Sequence, residues 1–157
     1  MALREHLQIT TGALKNWAIA QMQDSLAVGI LWWLGLYLLK VPLAPLWAVL
    51  AAALQIVPHI GPVLSLLGPA TAAWIHHGTP EYSLYVLMLY AGIVLVDGFL
   101  LQPYLMKRTA RVPIWASLLT PIVLGILIPF WGVLVSAPVL AIVYAYKERQ
   151  ARTSGAR

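Results

Sequence analysis

Between Val41 and Pro80 the chain carries no charged residue, and the middle of that run, Gln55–Ala70, reads QIVPHIGPVLSLLGPA. This one stretch limits the possible folds more than any other. A run so apolar belongs in lipid, where each backbone N–H and C=O must find its partner inside the protein. Yet it holds three prolines and two glycines, the residues that interrupt helices. A helix broken inside a bilayer survives only where the freed backbone is buried in protein or lines water. The run is also long for one helix. It is expected to fold as a pair of short helices broken at Pro58–Pro62.

Other uncharged runs extend the pattern. Ser25–Leu39 is fenced by Asp24 and Lys40, Tyr82–Met106 is interrupted only by Asp97, and Val112–Tyr146 precedes a polar tail. A spanning helix needs about 20 apolar residues. The first run crosses only if the bilayer is thin or its flanks snorkel. Tyr82–Met106 suits one tilted span. Val112–Tyr146 again suits a helix pair, broken at Ile128–Gly132. With 61% hydrophobic and 10% charged residues, the chain has too few charges to coat a soluble globule, which carries about 25%. No run shows the ten-residue alternation of a membrane barrel. The expected fold is all-α: a multi-pass integral membrane protein with broken or re-entrant helices and about 4–6 membrane segments.

Three regions follow. In residues 1–24, Leu3, Leu7, Leu14, Trp17 and Met22 form an approximate helical stripe, which suits an amphipathic helix at the interface or else a loosely ordered start. Residues 25–146 make the transmembrane domain, and 147–157 a basic tail. Lys107, Arg108 and Arg111 crowd one loop, and Lys147, Arg149, Arg152 and Arg157 crowd the end. Positive charge marks the cytoplasmic side, so both belong there, with His76–Glu81 outside. Net charge of +5 then reports topology and contact with anionic lipid, not nucleic acid. Cysteine is absent, which excludes disulfides and thiol chemistry.

Three stretches are familiar together. QIVPHIGP resembles the I-P-x-x-G-P signature of the autoinducer-2 exporter-like (AI-2E) transporter family. VDGFLLQPYLMKR, Val96–Arg108, resembles its acidic–small–aromatic–Leu-Leu-x-Pro stretch, and Ala116–Val143 its last hairpin. The resemblance covers roughly residues 14–147, in order. It implies a prokaryotic permease of the cytoplasmic (inner) membrane that moves a small solute or ion, without fixing the substrate. Members usually run to about twice this length, so the alternative is a truncated, non-transporting subunit or scaffold that assembles with a full-length relative. A chain with few spans has little interior of its own, so a homo-oligomer in the lipid bilayer is expected.

The candidate pathway residues are Gln55, Pro58, His59, Gly61, Pro62, Asp97 and Gln102. At the first break, Pro58 and Pro62 lack amide donors, Gly61 permits close packing, and His59 and Gln55 add polar groups. Transporters aim such helix ends at substrates and coupling ions; a plain hairpin turn has the same composition. Asp97 is the only acid between Glu81 and Glu148. An intramembrane charge costs about 2.5–3.5 kcal/mol on insertion scales and usually faces an interior path. Gln102 and Pro103 lie about one turn on, and Pro103 frees the carbonyl of Phe99. Acid, amide and carbonyl suit a cation or proton site. Alternatively Asp97 caps a helix beginning at Gly98, or pairs with a basic residue in assembly. No second intramembrane acid is visible to form a carboxylate dyad.

The remaining features read as structure. His76 and His77 suit an exposed loop near Glu81, without the converging ligands a metal needs. The seven tryptophans suit an aromatic belt. Gly125, Gly132, Ala137 and Ala141 suit close helix packing. No nucleotide, esterase or metalloprotease motif occurs. No catalytic residue, metal or cofactor is expected, and the protein is not expected to be an enzyme.

Overall fold

The computed structural model describes residues 2–56, 60–105, 112–129 and 131–154. Among the described residues seven α-helices follow in order: α1 Ala2–Leu38, α2 Ala44–Leu54, α3 Ile60–His77, α4 Glu81–Val96, α5 Gln102–Leu105, α6 Ile114–Leu127 and α7 Trp131–Ser154. Between α4 and α5 the helix widens into one π-turn, Asp97–Leu101. No strand occurs among the described residues. The fold is all-α, as the composition required.

Both uncharged doublets are helix pairs. α2 ends at Leu54 and α3 begins at Ile60; α6 ends at Leu127 and α7 begins at Trp131. A glycine lies just beyond each break. A Cβ on Gly61 would overlap the carbonyl of Leu54, and one on Gly132 would overlap the carbonyl of Leu124. In each pair the returning helix therefore presses its backbone onto the last turn of the outgoing one. Only glycine permits that approach.

α1 runs unbroken through Asp24 and ends where Lys40 takes a left-handed conformation (φ 54°). The Val41 amide donates back to the Leu36 carbonyl at 3.0 Å, closing the helix with a six-residue turn. Pro45 then sits in the first turn of α2, where its missing N–H costs nothing. α4 and the π-turn form the one described helix, Glu81–Leu101, long and apolar enough to cross a membrane.

The chain divides into two compact units. In the first, Gln21–Leu105, one face of α1 is buried: Gln21, Asp24, Ser25, Val28, Trp32 and Leu36 recur at helical spacing. Val28, Trp32 and Leu36 pack with Val41, Ala44, Ala48, Ala51, Ala73, Val86 and Ile93. Trp32 is 1% exposed and stacks on Tyr90, with ring centroids 6.4 Å apart. It belongs to the core rather than to an interfacial belt. Small residues line α2, so the helices pack closely through van der Waals contact, which drives helix association in lipid. Leu87, Met88, Val94 and Leu95 of α4 remain exposed, a surface suited to lipid.

The second unit holds residues 1–20, α6 and α7. Tyr146 joins it: its hydroxyl donates to the His6 carbonyl at 3.0 Å and lies 3.1 Å from the Thr10 hydroxyl. Helix α7 continues through the basic stretch to Ser154. His76 and His77 are not in a loop but form the last turn of α3, where His77 stacks on Tyr82 at 3.5 Å.

Candidate functional site

The break after α2 leaves carbonyls that the helix no longer pairs. Two side chains of α1 take them up. Ser25 Oγ donates to the carbonyl of Ala52, and Gln21 Nε2 donates to the carbonyl of Gln55 at 2.9 Å. Because Gln21 and Ser25 are four apart, one helical face reaches both. Asp24 lies between them on that face, 2% exposed, and points at the side chain of Gln55.

Gln55 is the centre of the site. It is 5% exposed, and its Nε2 donates to Oδ2 of Asp24 at 3.2 Å and to Oδ2 of Asp97 at 3.1 Å. One amide nitrogen thus serves two carboxyl groups. Asp97, 8% exposed, accepts a further bond from Gln102 Nε2 at 3.1 Å. The π-turn makes that contact possible. In a regular α-helix the fifth residue on lies about 140° around the axis. Here the amide of Gln102 bonds to the carbonyl of Asp97, five residues back, and the wider turn brings Gln102 round to the carboxyl. Such π-bulges recur at functional sites.

Each carboxyl keeps one oxygen unmatched. Oδ1 of Asp24 and Oδ1 of Asp97 are buried without a hydrogen-bond partner among the described residues. An unmatched buried oxygen costs about 1–3 kcal/mol, and more for a charged group. Among the described residues no three His, Asp or Glu side chains converge to hold a metal ion.

Three of the sequence candidates therefore meet: Gln55, Asp97 and Gln102 form one hydrogen-bonded cluster. Gly61 is buried against the end of α2, and the Pro62 carbonyl accepts from Ser65 Oγ at 2.6 Å within α3. Both shape the break without joining the cluster. Pro58 and His59 lie outside the described residues, as do Lys107, Arg108, Arg111 and Arg157. Asp97 does not cap a helix starting at Gly98, because the helix runs on through it with φ −60° and ψ −57°.

Asp24 is the residue that sequence reasoning missed. In the sequence it reads as a fence at the edge of an apolar run, and no carboxylate dyad is expected. The dyad exists. Its signal was the spacing of Gln21, Asp24, Ser25, Val28 and Trp32, one helical face with no proline before Pro42 to end it.

Residues 2–152 match the family described as AI-2E family transporter. The chain is 33% identical to the YhhT protein of Escherichia coli over 124 residues, which are 79% of this chain and 35% of that protein. It is 31% identical to the "AI-2 transport protein TqsA" of Escherichia coli over 145 residues, 92% of this chain and 42% of that protein. A Thermotoga maritima relative is 27% identical over 137 residues, 87% of this chain and 42% of that protein. The chain thus spans less than half the length of the curated relatives it matches.

Proposed function

The chain belongs to the AI-2E transporter family, and on that premise we propose that it moves a small solute or ion across the cytoplasmic membrane of a prokaryote, along a path lined by Asp24, Gln55, Asp97 and Gln102. The observation that supports this reading is the buried cluster itself. Two carboxyl groups and two amides meet where one helix is broken and another widened. Membrane proteins retain such polar groups at substrate and ion paths, and irregular backbone where a cavity is lined. The cluster supplies oxygen acceptors and amide donors, which suit the binding and release of a polar solute or cation.

The test is flux from proteoliposomes carrying the protein. AI-2, named in the TqsA relative, is the first solute to load, followed by monovalent cations and small polar metabolites. Flux above that of protein-free liposomes, reduced at least tenfold by Asp97→Asn in a protein that still folds, is the expected result. A folded wild type that moves none of them refutes the reading.

A further inference from the structure

We propose that Asp24 and Asp97 form a proton-binding site in which the two carboxyl groups share a single proton. The inference rests on the permease reading for the proton's purpose and on geometry alone for its place. Both side chains are more than nine-tenths buried, and each keeps an Oδ1 with no hydrogen-bond partner among the described residues. The donors are committed elsewhere: Gln55 serves both Oδ2 atoms, and Gln102 serves that of Asp97. Each Oδ1 still lacks a hydrogen. A proton on one Oδ1, accepted by the other carboxylate, supplies it. The Gln55 amide reaches both carboxyls and leaves each Oδ1 unserved. Among the described residues no third carboxylate or imidazole joins them to complete a metal shell. Paired buried carboxyl groups can hold one proton between them.

The step balances simply. An O–H bond forms when a proton arrives from water and breaks when it leaves, and the pair alternates between one and two negative charges. α1 supplies Asp24, while the π-turn after α4 supplies Asp97. The proton therefore fastens α1 to the widened turn, and its loss sets two like charges against each other across that contact. A proton so placed couples occupancy to helix separation.

Infrared difference spectra of the purified protein in lipid, between acidic and alkaline buffer, read the carboxyl C=O stretch that only a protonated group shows. The expected result is a band that shifts in deuterium oxide and is lost or displaced in both Asp24→Asn and Asp97→Asn. If one variant does not fold, the other still decides, because a shared proton needs both partners. A band untouched by either substitution, or two bands that titrate separately, overturns the proposal. Flux from the same preparations separates the two readings. A wild type that shows the shared band but moves no solute supports the proton site and removes the permease reading. Proton-driven flux unchanged in both Asn variants overturns the coupling role.

Discussion

Gln55 is the residue on which the site depends. Among the described residues its amide is the one group that bonds both carboxyls, and its backbone carbonyl accepts from Gln21. Gln55→Leu keeps the volume and removes the donors, leaving two buried carboxyls short of a hydrogen bond. Bonds to charged groups contribute about 1.5–3 kcal/mol each, so the variant is expected to lose at least about 2 kcal/mol of stability. The thermal midpoint in detergent measures it. Adding Asp24→Asn to Gln55→Leu should recover part of the loss, because an amide in place of a carboxylate carries no buried charge. A Gln55→Leu protein as stable as wild type would show that water already serves the carboxyls. The candidates Gln55, Asp97 and Gln102 were legible because polar groups are rare in apolar runs. Asp24 was not, because a charge at the end of such a run looks like a boundary until the helix is seen to continue through it.

At the scale of elements, the two helix pairs share one construction. Gly61→Ala places a methyl group against the Leu54 carbonyl, and Gly132→Ala places one against the Leu124 carbonyl. Backbone cannot yield as a flexible side chain does, so each pair must open. Overpacking of this kind costs about 1–3 kcal/mol. Gly92 offers the contrast: it lies inside α4, and a Cβ there meets nothing within 4 Å. Gly92→Ala should stabilise the monomer by about 0.5–1 kcal/mol through helix propensity alone. Unfolding of the three variants in one detergent ranks them, and equal effects would refute the packing argument. If Gly92→Ala instead weakens self-association, that face of α4 meets a second copy. Proline and glycine marked both breaks in the sequence. The widening of the turn at Asp97 had no such mark, because i→i+5 bonding follows from the packing around the helix and not from a residue type.

For the whole molecule, the testable quantity is topology. The basic loop around Lys107 and the C-terminal Arg157 are predicted to share the cytoplasmic side, so α6 and α7 together leave and return. Reporters fused at Lys107 and at Arg157 should both read inside, and one on each side would refute the hairpin. The sequence by itself determined the solvent, the helical class and the places where helices break. These follow from composition and from local backbone chemistry, which need no knowledge of distant residues: lipid demands satisfied backbone, and proline–glycine clusters mark the two breaks, while single prolines at Pro69, Pro121 and Pro138 stay inside helices. Only the tertiary structure decided which polar groups meet. Asp24, Gln55 and Asp97 are separated by 31 and 42 residues and touch only because α1 lays one face against the broken end of α2 and the widened end of α4. That meeting depends on helix direction, on the register of a buried face and on one extra residue in a turn. None of these is a local property, so the pairing of the two carboxyls had to be seen in three dimensions.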